Sequence, residues 1–159
     1  MISAFFTYDK PKVIQALRYH FITRREIKIM IILVNVFSIT SAVLFFLHKI
    51  LPLAFLISSL LWIVLMILFW YMLPNTIYKR TAAFKDRFQA VLSADKFSIQ
   101  NERGGRSWNW TEFSTWIESP YFFHLYFNPR SFFIVPKSAF PGDEVHEARK
   151  ILKEKIVKK

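Results

Sequence analysis

Residues 29–47 read IMIILVNVFSITSAVLFFL and residues 50–73 read ILPLAFLISSLLWIVLMILFWYML, with only His48 and Lys49 between them. Neither run contains Asp, Glu, Lys or Arg. At a rise of about 1.5 Å per residue each is long enough to cross a hydrocarbon core of about 30 Å. The two runs therefore predict a helical hairpin in a bilayer, and everything else in the chain must be arranged around it.

The formal charge of +11 divides unevenly about these runs. Residues 1–28 hold six Lys/Arg against Asp9 and Glu26, the connecting loop holds Lys49 alone, and residues 74–159 hold fifteen Lys/Arg against nine acids. Arg24, Arg25 and Lys28 flank the first run, while Lys79, Arg80, Lys85 and Arg87 follow the second. A positive-inside bias then predicts a multi-pass protein with both termini in the cytoplasm and the loop outside. A cleaved leader is disfavoured, because the first apolar run exceeds the usual 7–15 residues and a second span follows. Without cysteine, disulfides, thiolate metal sites and cysteine nucleophiles are excluded.

Small polar residues sit at comparable depth in the two runs: Thr40 and Ser41 in the first, Ser58 and Ser59 in the second. They are candidate interhelical contacts, since small hydroxyl residues allow close approach and bond across it. The competing reading, in which each hydroxyl bonds its own helix, stays open. Asn35 is read as a further interhelical contact and not as a functional ionisable site. Trp70, Tyr71 and Tyr78 suit a headgroup region, and Pro52 suits a first helical turn.

Ahead of the spans, Ile2–Tyr8 is strand-like, and Asp9-Lys10-Pro11 opens a helix with Val13, Ala16, Leu17 and Phe21 at helical spacing. This helix either lies on the inner leaflet or packs on the cytoplasmic domain. The expected organisation is thus an N-terminal strand and amphipathic helix over 1–28, spans over 29–47 and 50–73, and a cytoplasmic domain over 79–159.

That domain alternates with period two. Phe88, Ala90 and Leu92, then Phe97 and Ile99, then Trp108 and Trp110, then Phe123, Leu125 and Phe127 mark half-buried antiparallel strands. His124 falls on the outward side of this alternation and is expected at the surface. Ser131–Pro136 is a further strand, apolar on both faces. Turn chemistry at Ser93-Ala94-Asp95, Asn101–Gly105 and Asn128-Pro129-Arg130 separates the strands. Residues 143–157 close the chain as a helix with Val145, Ala148, Leu152 and Ile156 on one face, acids in its first turn, and Lys153, Lys155 and Lys158 near its end. About six strands and one helix make an α+β domain, a bent sheet or half-open barrel covered at one end by the terminal helix.

Three stretches carry a family resemblance: Trp108-Asn109-Trp110-Thr111-Glu112-Phe113, Tyr121–Phe127, and Phe133-Ile134-Val135-Pro136-Lys137-Ser138-Ala139-Phe140. With Phe5-Phe6-Thr7-Tyr8-Asp9 near the start, the chain resembles the YcxB-like family of small bacterial membrane proteins. The resemblance implies a two-helix transmembrane hairpin followed by an antiparallel pleckstrin-homology-like (PH-like) domain with a C-terminal helix, placed in the bacterial inner membrane. It implies no reaction and no catalytic residues. A pleckstrin-type sheet has seven strands, and Ile2–Tyr8 is the candidate for the seventh.

No chemistry-bearing motif accompanies this architecture. His20, His48, His124 and His146 lack metal-ligand spacing. Gly104, Gly105 and Gly142 make no phosphate-cradling loop, and Ser107, Ser114 and Ser131 have no nucleophile-elbow context. Glu102, Glu112 and Glu118 fall near strand ends with nothing selecting a catalytic pair. The chain is therefore expected to use no cofactor or metal and to be no enzyme, and to act as a membrane-anchored interaction or regulatory module. Arg103, Arg106, Arg130, Lys79 and Arg80 are the candidate contacts to anionic lipid or to an unidentified protein partner. Nucleic acid is a disfavoured partner, since membrane topology accounts for most of the positive charge. The alternative function is immunity or tolerance toward membrane-active peptides, with a lipid-modifying or proteolytic enzyme as a third reading. Oligomeric state is open.

Overall fold

The computed structural model describes residues 1–156. Its contacts divide the chain into a helical unit, Leu17–Arg80, and a β unit made of Met1–Ala16 with the chain from Thr81 onward. Helix α1 (Lys10–Thr23) begins in the β unit and ends in the helical one. Val13 and Ala16, on its first turns, are buried and belong to the β unit, so for this half of the helix packing is realised and not surface exposure.

The helical unit contains α2 (Arg25–Phe46), α3 (Pro52–Ile67), a π-helical turn (Leu68–Met72) and α4 (Leu73–Arg80). Two continuous helices, Arg25–Phe46 and Pro52–Arg80, are long and apolar enough to cross a membrane, and 6% and 0% of their most apolar stretches are buried. The connection between them is tight. His48 takes a left-handed conformation at φ 55°, which lets Lys49 N–H reach the Leu44 carbonyl at 2.9 Å and His48 N–H reach Phe45. This closes the α2 C-terminus in the way a glycine usually does.

The π turn has an identifiable cause. Pro74 has no N–H to give the Trp70 carbonyl four residues earlier, and its ring crowds that carbonyl. Widening of the preceding turn relieves the clash. Arg18 Nε then donates to the Trp70 carbonyl at 2.9 Å, with its guanidinium 5.2 Å from the Trp70 ring centroid.

In the β unit, β1 (Gln89–Leu92), β2 (Lys96–Asn101) and β3 (Gly104–Asn109) form one antiparallel sheet in that order. A second antiparallel sheet comprises β4 (Thr115–Glu118), β5 (Phe122–Asn128) and β6 (Ser131–Pro136). Helix α5 (Glu144–Lys155) ends the described chain. Val157 and Lys158, expected to extend it, lie outside the described residues. Ala148 and Leu152 of α5 close an apolar interior lined from the strands by Leu92, Phe97, Phe123, Leu125 and Val135.

The N-terminal arm joins the two sheets. Met1 exchanges hydrogen bonds with Leu92, and Phe6 with Phe88, while Ser3 N–H donates to the Ala90 carbonyl. Ala4 N–H donates to the Ala139 carbonyl beyond β6, and Tyr8 Oη donates to the Ile134 carbonyl at 2.8 Å. The arm thus lies along β1, as expected of a seventh strand, but through the isolated bridges Ile2↔Val91 and Phe6↔Phe88 and not as a continuous ladder. Burial pushes the Tyr8 phenol up, keeping it a neutral donor.

Two expectations need correction. His124 is fully buried (0% exposed) and not at the surface, because β5 is the central strand of its sheet and is covered on both faces. Trp110 leaves the strand for a 3₁₀ turn closed by the reciprocal bonds of Asn109 and Glu112. Strand β4 was not legible as a separate strand, since Thr115–Glu118 is half-buried throughout and shows no alternation.

Candidate functional site

The β unit holds a surface cleft of about 190 Å³ where the arm runs into α1, beside the β4–β5 turn and the end of β6. Thr7, Asp9 and Lys12 form one wall, Tyr121 comes from the turn, and Lys137 and Ser138 follow β6. Lys12 Nζ stands 3.8 Å from Asp9 Oδ2 and 5.5 Å from the Tyr121 ring centroid. Lys137 Nζ pairs with Glu118 Oε1 at 2.6 Å.

Glu118, at the end of β4, is the centre of the strongest charged cluster. Arg149 of α5 grips it with both forks, Nε to Oε2 and Nη2 to Oε1, each at 2.8 Å. Its own Nη1 meets His146 Nδ1 at 2.9 Å. The Arg149 hydrogen bonds hold the Glu118 carboxyl at about 2 against the opposing effect of burial, with Lys137 adding to the depression. In return Glu118 raises Arg149. A carboxylate so committed is ionised at neutral pH and has no proton to donate, so the cluster fastens α5 and the β6 end to β4 and is poorly suited to acid catalysis.

A serine–histidine pair also occurs. His124 Nε2 lies 2.9 Å from Ser119 Oγ, and Ser119 Oγ donates to the Phe122 carbonyl at 3.2 Å. Both residues are buried, Ser119 at 4% and His124 at 0% exposure. With the hydroxyl proton directed into the β4–β5 turn and no solvent access, the pair satisfies buried polar atoms and offers a substrate no approach.

The basic residues singled out in the sequence are dispersed over several elements. Arg103 lies in the β2–β3 turn, where its N–H donates to Asn101 Oδ1 at 3.0 Å. Arg106 stands on β3 with its guanidinium 5.3 Å from the Trp108 ring centroid. Arg130 occupies the β5–β6 turn, whose Asn128 Oδ1 accepts from Arg130 and Ser131 N–H at 2.9 Å. Lys79 and Arg80 end α4 in the helical unit. Only Arg103 and Arg106 share a hairpin.

Among the candidate interhelical residues, Ser41 Oγ and Ser58 Oγ are 2.6 Å apart and buried. Ser58 gives its proton to the Phe55 carbonyl at 2.8 Å, so Ser41 is the donor between the helices. Asn35 accepts from Trp62 Nε1 at 3.3 Å and donates to Ile31 of its own helix at 2.8 Å. Thr40 bonds the Val36 carbonyl of its own helix, and Ser59 is half-buried beside Ser58. The partners of Glu118 escaped sequence reading because Arg149 lies 31 residues away and no local spacing links them. Asp9, Lys12 and Tyr121 were likewise without a signal, since the cleft exists only once the arm is docked.

Among the described residues no group of three or more His, Asp or Glu side chains could hold a metal ion. No curated protein and no solved structure matches the chain. The family model described as YcxB-like protein matches residues 92–152, from the end of β1 into α5, and over this stretch the chain is similar to that family.

Proposed function

We propose that the chain is a two-span membrane protein, with both termini cytoplasmic, whose PH-like β unit works beside the bilayer as an interaction or regulatory module. The observation that carries this reading is the exposure of the two long helices. Their most apolar stretches are 6% and 0% buried, so in water they would leave two unbroken apolar cylinders uncovered. A bilayer is the medium in which such helices need no cover, and their paired hydroxyls and Asn35–Trp62 contact suit helix association there. Support for a binding role over a catalytic one comes from the β unit, where the strongest cluster is a closed ion-pair network and the serine–histidine pair is inaccessible.

Two measurements test this. Alkaline carbonate should leave the full chain in the membrane pellet. In a chain otherwise free of cysteine, Lys49→Cys should react with an impermeant thiol reagent in intact cells while Lys85→Cys should react only after lysis. Quantitative release by carbonate, or labelling of Lys85→Cys from outside, would overturn the anchoring or the orientation respectively.

A further inference from the structure

The hydrogen-bond parity of the first sheet shows which backbone groups have been left unused. Phe88, Ala90 and Leu92 turn their N–H or C=O groups toward the arm. In an antiparallel ladder the alternate residues face the other neighbour, so Gln89 and Val91 bond β2 at Gln100 and Ser98. Phe97, Ile99 and Asn101 of β2 then bond β3 at Trp108, Arg106 and Gly104. By the same alternation Gly105, Ser107 and Asn109 point their N–H and C=O groups out of the sheet. Asn109 N–H is taken by Glu112 Oε1 at 2.8 Å. Gly105 and Ser107 are exposed, and among the described residues no backbone hydrogen bond outside the β2–β3 ladder involves them.

The other edges differ in exposure or cover. The arm lies along β1, and the outward Ile134 carbonyl of β6 accepts from Tyr8. The outward residues Trp116 and Glu118 of β4 are half-buried, where Gly105 and Ser107 are exposed. Gly105 also cannot carry a side chain without disturbing β2, because a Cβ there would come within 3.1 Å of Gln100 Cγ and 3.3 Å of the Ile99 carbonyl. The β3 edge is therefore bare for one full hydrogen-bonding repeat.

We propose that the β3 edge of Gly105–Ser107 is a docking site for an extended, acidic segment of a partner protein, which adds as an antiparallel strand with a carboxylate opposite Arg106. An added strand exchanging hydrogen bonds with Gly105 and Ser107 places its intervening residue directly across from Arg106, in a pair with Cβ atoms about 4.5–5.5 Å apart. The Arg106 guanidinium stays on that face, over Trp108. A second copy of the chain fits poorly, since two-fold pairing through the same rungs would set Arg106 against its own counterpart. This proposal deepens the interaction-module reading and rests on it for its biological sense. Its test does not depend on the carbonate result, so either can fail alone.

The experiment is amide hydrogen exchange on the detergent-solubilised full chain with a blocked heptapeptide alternating threonine and glutamate. Exchange at Gly105 and Ser107 should slow at least tenfold, while a threonine–lysine peptide should give no protection. A glutamate peptide N-methylated on its pairing edge keeps the charge but cannot form the ladder, and it should give none either. Arg106→Glu, a change at an exposed side chain, should transfer the preference to the lysine peptide. The proposal is overturned if the glutamate peptide protects neither amide. It is equally overturned if the lysine or N-methylated peptide protects as well, or if protection appears without peptide as protein concentration rises, which would identify a second copy as the occupant.

Discussion

Replacing Glu118 by Gln removes one negative charge from between Lys137 and Arg149 while keeping the side-chain volume. The carboxyl is held at about 2 against an ordinary 4.5, and one pH unit corresponds to about 1.36 kcal/mol, which sets a ceiling of about 3 kcal/mol on the cluster's contribution. The Glu118, Lys137 and Arg149 side chains are 26%, 21% and 34% exposed, so solvent screening lowers the expected loss to about 1–2 kcal/mol. The pH dependence identifies the cause. Because the folded-state value is depressed, the stabilisation is complete above about 4.5 and disappears as the pH falls through about 2, where the folded form also binds its proton. Urea unfolding of the full chain in a non-ionic detergent, followed by near-ultraviolet circular dichroism, should show a midpoint lower by about 1 M at pH 7. The gap should narrow below pH 4.5 and close near pH 2. His20, lowered from 6.5 to about 4 by burial and then by Arg24, destabilises the folded chain as the pH falls from 6.5 to 4. It does so equally in both proteins and cancels in the difference. Identical midpoints at pH 7, or a deficit that persists undiminished at pH 2, would refute the electrostatic account and leave a packing effect in its place.

Other consequences are as direct. Tyr8→Phe deletes the donor to the buried Ile134 carbonyl and should cost the β unit about 1–2 kcal/mol in the same titration; an unchanged midpoint would mean the arm is not a structural strand. Deletion of residues 1–10 should destabilise the β unit far more, since it removes the buried Phe6 and Tyr8 together with every bond along β1. Ser41→Leu should force α2 from α3. The Phe45 and Phe55 rings stack at 4.6 Å, so cross-linking yield between cysteines placed at those positions should fall, whereas Thr40→Leu should leave it unchanged. Arg18→Met should lower stability by about 1 kcal/mol by abandoning the Trp70 carbonyl, and Pro74→Ala should offset much of that loss by restoring an N–H four residues on. Additive effects in that double variant would show that Arg18 and Pro74 are not linked through the carbonyl.

The elements declared by one-dimensional pattern are those legible without the fold. Two charge-free runs set the long helices, since length and apolarity alone decide whether a helix can leave water. The period-two alternation marked β1, β2 and β5, the asparagine turns marked the hairpins, and the apolar stripe ending at Ile156 marked α5. Serines at matched depth narrowed the helix contact to a few residues, but which pair meets depends on helix rotation, and only the fold selected Ser41 with Ser58. His124 was misread because alternation reports which residues share a face and is silent on whether the second face is also covered. Arg149 gripping Glu118, the arm closing on Leu92, and Arg18 meeting the Trp70 carbonyl all join residues from 31 to 91 positions apart. Such contacts leave no local trace, because each is made by the way elements pack and not by the propensity of either segment. The open edge of β3 belongs with them: Trp108 is legible as strand while Gly105 reads as turn, and that the outer hydrogen bonds of β3 are left unused follows only from how the other strands are paired.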